Sequence, residues 1–414
     1  LVSDVSERVL AALRAQEKPV CAYVYDRATL RERARAVKAA LPEGALLAYA
    51  MKANGHPEVV AALAAEVDGI EVASGGELAT AIAAPATKRV FFGGPAKTDG
   101  ELAAAVRAGA VINAESVHEL RRLSAIARDL AGAEPKSPVR VALRVNRAHA
   151  ALPASIRMTG VPTPFGIDET QLSDAVAAAT GDLELVGFHL HAVSNNLDAV
   201  AHAAFVVDAA RWSIRAAAQL GVRLSLVNVG GGFGIDYTRT PAETPEPAET
   251  SLGRAPGGTA RFDLSLFAER LRADLPELPP GARLVFEPGR FLAAPAGWYA
   301  AEVIDVKRTH GRWFAVLRGG THHFRLPASW GYSHPFTVLP VEEWPYPFER
   351  PGVEDTTVDV AGELCNPRDV LARDAPVTRL RAGDVLVFAN TGAYGWEVAH
   401  RDFLLHPYPK RIVL

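Results

Sequence analysis

Short apolar runs closed by glycine or polar residues recur between residues 46 and 290, and the stretches separating them carry apolar positions at helical spacing. The runs are Leu46–Met51, Gly69–Ala73, Arg89–Phe92, Ala110–Asn113, Arg140–Asn146, Leu183–His191, Leu224–Val229 and Arg283–Glu287. Alanine-rich helical segments lie between them at Pro57–Val67, Gly76–Ala84, Thr98–Ala108, Val117–Leu130, Glu169–Ala179 and Leu197–Leu220. Eight alternating units in roughly 250 residues predict an α/β fold, a (β/α)8 barrel of the TIM type, in which the strands are buried and chemistry collects at their C-terminal ends.

The residues that end each run agree with this. Lys52 and Asn54 follow the first run, Ser74 the second, Gly93 and Gly94 the third, Glu115 the fourth, and Asn146 with Arg147 the fifth. His191 and Ser194 close the sixth, Gly230 to Gly232 the seventh, and Glu287, Gly289 and Arg290 the eighth. Beyond Arg290 helical periodicity fades, and proline and glycine punctuate β-type runs at Trp298–Val306, Trp313–Leu317, Thr357–Val360 and Asp384–Phe388. The expected organisation is therefore a barrel over residues 27–292 and an all-β, sandwich- or barrel-like domain. Residues 1–26 and 293–414 form that domain, with Val20–Tyr25 as a joining strand. The Pro-, Thr- and Glu-rich stretch 239–261 reads as a mobile loop.

Composition narrows the classes of function. The 414 residues carry 44 basic and 47 acidic side chains, a net charge of -3, with no long block of one sign. That balance excludes an electrostatic footprint for nucleic acid. No apolar run approaches the ~20 residues of a membrane span, and Leu1–Lys18 reads as an amphipathic helix rather than a secretory signal. Only Cys21 and Cys365 are present, far apart in sequence, which suits a reducing compartment, the cytoplasm. Eight of the basic residues are lysines and the rest arginines, so a lysine in an apolar setting needs a reason.

Lys52 is such a lysine. In Tyr49-Ala50-Met51-Lys52-Ala53-Asn54 it sits at a strand end among apolar and aromatic neighbours, where desolvation would favour the neutral amine used for covalent chemistry with carbonyls. The plainer reading is a strand-terminal lysine reaching solvent. Lys97 is a second candidate, already in a loop. The run Gly230-Gly231-Gly232, one strand before Glu287-Pro288-Gly289-Arg290, suits a phosphate cup, because such sites in barrels favour the last two strands. His189 and His191 share strand parity and could both face the barrel mouth. No third ligand has convincing spacing, so no metal is expected. Cys365 defaults to a small buried apolar residue, and Arg325, Tyr394 and the pair His322-His323 have surface readings.

Taken jointly, these segments resemble the alanine-racemase-like (fold type III) pyridoxal-phosphate enzymes, in the ornithine/diaminopimelate decarboxylase branch. The matching pieces occur in order along nearly the whole chain: Tyr49 to Asn54, Gly69 to Leu78, Phe188 to Ser194, the triple glycine, Glu287 to Arg290, Gly362-Glu363-Leu364-Cys365, and Thr391-Gly392-Ala393-Tyr394. The resemblance implies that Lys52 holds pyridoxal phosphate covalently and that His191 stacks on the pyridine ring. Ser194, Gly231, Gly232, Gly289, Arg290 and Tyr394 would surround the phosphate, and Glu287 would pair with the pyridine nitrogen. Keeping that nitrogen protonated lets the ring accept the electrons left when CO2 departs. Cys365 matches the thiol that reaches in from the other subunit to protonate Cα, which implies a homodimer with shared active sites. Arg325 matches the arginine that binds a distal carboxylate, and Asn366 stands where diaminopimelate decarboxylases carry an acid.

Two further departures are Pro164 in place of a lysine before Phe165-Gly166, and the absence of an aspartate near Gly319-Gly320. The segments Gly94 to Asp99, Cys365 to Asp369 and Phe403 to Pro407 are most similar to decarboxylases of carboxylate-siderophore biosynthesis, which act on a citryl-diaminopropionate conjugate. The alternatives are a diaminopimelate or basic amino-acid (ornithine, lysine, arginine) decarboxylase and, in another class, a non-catalytic regulatory homologue that binds the cofactor. Racemization is disfavoured by Glu287, and by Cys365 where a catalytic tyrosine would stand.

Overall fold

The computed structural model describes residues 5–131, 137–148, 156–179, 181–238 and 261–414. The chain divides into two units. One comprises Leu1–Leu30, the described part of Asp236–Thr259, and Ala293–Leu414; the other comprises Arg31–Ile235 and Ala260–Leu292. Nearly all of the stretch 239–261 lies outside the described residues.

The larger unit is the expected closed parallel barrel. Its eight strands are Leu46–Ala50, Gly69–Val72, Val90–Phe92, Val111–Ala114, Val139–Asn146, Leu183–His189, Leu226–Asn228 and Arg283–Phe286. Each pairs in parallel with the next, and the eighth closes onto the first through Val285↔Leu46 and Phe286↔Leu47. Helices follow the strands and are capped as their sequences dictate. Thr98 and Glu101 form a reciprocal capping box on Asp99–Arg107, and the Asp198 side chain caps the 22-residue helix Ala199–Leu220.

Inside the barrel, Leu46, Ala48, Phe91, Val111, Ala142, Leu226 and Val285 pack together as one buried apolar cluster. Side chains alternate along a strand, so the inward position two residues further on lies nearer the C-terminal mouth. Those positions hold Gly93, Asn113, Arg144, Asn228 and Glu287. One turn of alternation converts a dry core into a polar floor.

The smaller unit is an eight-stranded sheet. Thr337–Leu339, Val385–Phe388, Gly297–Thr309, Arg312–Leu317, Gly352–Ala361 and Val370–Arg381 lie in that spatial order. Cys21–Tyr25 pairs antiparallel with Gly297–Thr309 and parallel with Lys410–Val413. The helix Glu7–Arg14 buries Val9, Leu10 and Leu13 against Val20, Val24, Trp298, Ala300 and Val385. No helix among the described residues is long and apolar enough to cross a membrane.

Two histidines make the fold acid-sensitive. Burial pushes His202, packed among Phe205, Phe233, Phe262 and Phe267, from 6.5 down to about 4. Burial does the same to His334, opposed by its contact with the Ala389 carbonyl. Their folded values lie below the unfolded one, so their contribution is intact above pH 6.5 and is lost as pH falls toward 4. Each costs about 1.4 kcal/mol per pH unit in that window. Between pH 7.5 and pH 5.5 these two groups should therefore remove roughly 3 kcal/mol of the stability read by urea denaturation. His202→Gln with His334→Gln should flatten the slope by that amount, and an unchanged slope in the double variant would reject the assignment.

Candidate active site

Lys52 follows the first barrel strand on a single 3-10 turn, Met51–Ala53. The turn is pinned by the Tyr49 hydroxyl, which donates to the Asn54 carbonyl at 2.9 Å. Nζ of Lys52 lies 2.8 Å from Oε2 of Glu71 on the second strand. The lysine side chain is 42% exposed whereas the Glu71 side chain is 4% exposed. Lys52 is thus not in the apolar, desolvated setting that its sequence neighbours suggest. Its amine pairs with a buried carboxylate, and the side chain as a whole stays accessible.

Lys97 is different. Its buried Nζ donates to Glu119 at 2.6 Å, to the Gly94 carbonyl at 2.7 Å and to the Asn113 carbonyl at 2.9 Å. All three ammonium protons are used, and the side chain is a structural cross-link rather than an alternative nucleophile.

Glu287 follows the eighth strand and is buried. Asn228 donates to its Oε1 at 2.5 Å, and Nε2 of His189 lies 3.3 Å from its Oε2. Burial pushes this carboxyl up, but His189, Lys52 and the Asn228 hydrogen bond together hold it below the usual carboxylate range. It is an anion aimed into the barrel. His189 and His191 lie 6.4 Å apart with nearly parallel rings. Burial, reinforced by Lys52 and Arg144, keeps His191 well below the usual imidazole range. The Gly231 amide donates to its Nδ1 at 3.2 Å, which leaves the proton on Nε2.

The glycines beside His191 are required by space. A Cβ at Gly230, whose φ is +68°, would lie 2.3 Å from the His191 ring nitrogen, and one at Gly231 would lie 2.2 Å from the Glu287 carbonyl oxygen. The cradle is therefore lined by backbone. Gly232 and Gly289 flank it, and a Cβ on either would meet backbone oxygen at 2.7 Å. Arg290 Nη2 donates to Ser194 Oγ at 3.4 Å.

Arg144, Glu115, Asn113, Asn228 and Glu71 carry no role in the sequence reading. Arg144 pairs with Glu115 at 2.8 Å, and Glu115 also accepts from the Gly94 and Gly166 amides. The available signal is parity with the apolar barrel layer, which places Asn113, Arg144 and Asn228 on inward positions. The buried amide of Asn113 and both ring nitrogens of His189 make no hydrogen bond.

The other expected site residues belong to the smaller unit. Cys365 is an exposed free thiol, so the buried apolar reading fails. Arg325 and Asn366 are exposed, and Tyr394 is partly buried with φ at 56°, a left-handed conformation unusual for tyrosine. His322 and His323 are fully buried, which corrects their surface reading.

These residues fit pyridoxal phosphate. A lysine amine, an inward anion for a pyridinium nitrogen, a neutral imidazole, a backbone-lined glycine cradle and an arginine–serine pair occupy one barrel end. Unsatisfied buried polar atoms there leave partners to be supplied.

Comparison with known proteins agrees. The family model described as "Pyridoxal-dependent decarboxylase, pyridoxal binding domain" matches residues 27–294. The 2-[(L-alanin-3-ylcarbamoyl)methyl]-2-hydroxybutanedioate decarboxylase of Staphylococcus aureus is 38% identical over 99% of this chain and 98% of its own length. The L-glutamyl-[BtrI acyl-carrier protein] decarboxylase of Niallia circulans is 31% identical over 94% of this chain and 88% of its own. The crystal structure of Helicobacter pylori diaminopimelate decarboxylase complexed with L-lysine superposes with a TM-score of 0.80 at 24% identity, covering 98% of this chain and 94% of that one, and so shares the fold. The family match, together with full-length relatives above 30% identity, establishes that this chain belongs to the pyridoxal-phosphate-dependent decarboxylases and that pyridoxal phosphate is its cofactor.

Proposed function

We propose that the chain removes the Cα carboxylate of an amino acid carried on a polycarboxylate, a citryl-diaminopropionate type of substrate. The observation that carries this reading is a cavity of about 550 Å³ in the smaller unit, lined by Arg325, Arg368, Arg373, Asn366, Tyr332 and His400 among others, with no aspartate or glutamate in its lining. Arg325 donates to Ser329 Oγ at 3.2 Å and to His400 Nδ1 at 3.1 Å, and it has no carboxylate partner among the described residues. Burial, then the Arg325 charge, lowers the His400 pKa, so the ring accepts that bond as a neutral base. Arg325 and Arg368, neither paired with a carboxylate among the described residues, suit two carboxylates of one ligand. Diaminopimelate ends instead in an ammonium as well as a carboxylate, and no acidic side chain lines the cavity to receive it. The Staphylococcus aureus relative is named for a hydroxybutanedioate conjugate, which has the fitting chemistry.

In this reading Lys52 would anchor the cofactor, His191 would lie beside its ring, and Glu287 would keep its pyridine nitrogen protonated. Ser194, Gly231, Gly232, Gly289 and Arg290 would hold the phosphate. When bound, the cofactor supplies the sink for the electron pair left by departing CO2. Asn228 orients Glu287, and with the neighbouring His189 it keeps the carboxylate anionic. Cys365, as an exposed thiol, delivers the proton to Cα in a site of a second copy, so the working unit is a homodimer. A free thiol in that role suits a reducing compartment such as the cytoplasm.

CO2 release from a substrate panel tests the specificity. Citryl-diaminopropionate should exceed meso-diaminopimelate, ornithine and lysine in kcat/KM by at least ~100-fold. Arg325→Ala and Arg368→Ala should each raise KM roughly tenfold or more while leaving the absorbance of bound cofactor intact. Faster turnover of diaminopimelate would reject the polycarboxylate reading and keep the decarboxylase.

A further inference from the structure

Among the buried histidines of the smaller unit, two are without the usual satisfaction. Both nitrogens of His334 are engaged, Nδ1 with the Tyr332 hydroxyl at 2.9 Å and Nε2 with the Ala389 carbonyl at 2.8 Å. His322 and His323 are equally inaccessible, yet both ring nitrogens of His322 and Nε2 of His323 make no hydrogen bond. The remaining nitrogen of His323 faces Sγ of Cys21 at 3.5 Å. Unmade hydrogen bonds of this kind leave the desolvation cost of each group uncompensated. Three in adjacent residues call for a missing partner.

The rings are 3.8 Å apart between centroids, and they converge on Glu363. His322 Nε2 lies 3.3 Å from Glu363 Oε1, out of line for a hydrogen bond, and His406 Nδ1 lies 3.6 Å from the same oxygen. One nitrogen from each of His322 and His323 and an oxygen of Glu363 lie within 4.8 Å of one another. Ligands about 2.1 Å from a tetrahedral ion stand roughly 3.4 Å apart, so modest side-chain rotations would close this set. Arg318 makes a very short ion pair with Glu363 and already offsets its charge. Attraction must then come from imidazole donation, which selects zinc, nickel or copper over magnesium or calcium.

We propose that His322, His323 and Glu363, with His406 as fourth ligand, bind one zinc-type divalent cation, with Arg318 orienting the Glu363 carboxylate from outside. The site joins the turn that precedes Arg325 to the turn that carries Cys365. Those turns already share Asp369, which accepts from the amides of Thr321 at 2.6 Å and Leu364 at 2.9 Å. A bound ion would lock the same junction. The inference stands on the buried cluster and is independent of the substrate assigned above.

The test is calorimetric titration of Zn²⁺ into the chelator-treated, cofactor-loaded full chain. The expected result is one ion per chain, no response to Mg²⁺, and a raised melting temperature with Zn²⁺. Affinity should fall roughly 10- to 100-fold in His322→Ala and in Glu363→Gln. Absence of saturable Zn²⁺ binding, or full-strength binding in both variants, would overturn the proposal. X-ray absorption at the zinc edge of the wild-type protein decides independently of how the variants fold. A shell of nitrogen and oxygen supports the site, and sulfur in the shell overturns it in favour of cysteine ligation.

Discussion

Lys52→Ala should purify as a folded protein without the absorbance of bound cofactor, and its CO2 release should fall by at least ~1000-fold. Three observations set the size of this effect. The first is position: the turn Met51–Ala53 presents the Lys52 amine beside Glu71, at the barrel end that also holds Glu287 and His191. The second is chemistry: an amine can lose its proton and attack a carbonyl, which guanidinium cannot readily do. The third is the absence of a substitute, since Lys97 spends its three protons on Glu119 and two carbonyls. Lys97→Ala is the contrasting variant. It should keep the cofactor absorbance in whatever fraction folds, but lose about 3–5 kcal/mol of stability because Glu119 is left buried and unpaired. Absorption spectra and trapped CO2 on both variants give the comparison. A coloured, active Lys52→Ala enzyme would remove Lys52 from its role.

Cys365→Ala should retain the cofactor absorbance of the wild type while clean turnover falls by about 10²- to 10⁴-fold, the range for loss of a positioned general acid. Nothing in the barrel unit is altered by this change, so the spectrum separates a chemical defect from a binding defect. Cys365 is exposed within its own chain, which is the expected condition for a group that serves a neighbouring subunit. Mixing Lys52→Ala with Cys365→Ala should then restore about one quarter of wild-type activity, because half of randomly paired dimers are mixed and each of these has one intact site. Failure of the mixture to recover activity while both proteins remain dimeric would argue that each chain uses its own Cys365. Unchanged turnover in Cys365→Ala alone would leave the thiol without a role.

The barrel strands were legible because each is a short buried run, with branched or aromatic residues, cut by glycine or charge at its end. Val370–Arg381 was not. It reads as charged residues around Pro376, because its outward positions face solvent, although its partner is the strand directly before it, Gly352–Ala361. At the site, motif residues such as Glu287 and the triple glycine were readable from their order along the chain. Lys52 was readable as a position but not as an environment. Its local neighbours are apolar, while the group that governs its charge, Glu71, arrives from the adjacent strand nineteen residues on. His322-His323 failed for the same reason in reverse. Two polar residues after a glycine pair read as a surface turn, and only the packing of Gly320 against Gly362 and Asp369 puts them inside.

The pairing of Cys21–Tyr25 with both Gly297–Thr309 and Lys410–Val413 has a consequence for biosynthesis. Barrel strands pair with neighbours that leave the ribosome shortly before or after them, apart from the single closure between Leu46–Ala50 and Arg283–Phe286. Cys21–Tyr25 instead waits about 280 residues for one partner and almost 390 for the other. At elongation rates of about 5–20 residues per second, the longer wait is roughly 20–80 s during which that edge stays open. The barrel can close before Lys410–Val413 is made, while the sheet of the smaller unit cannot be completed without it.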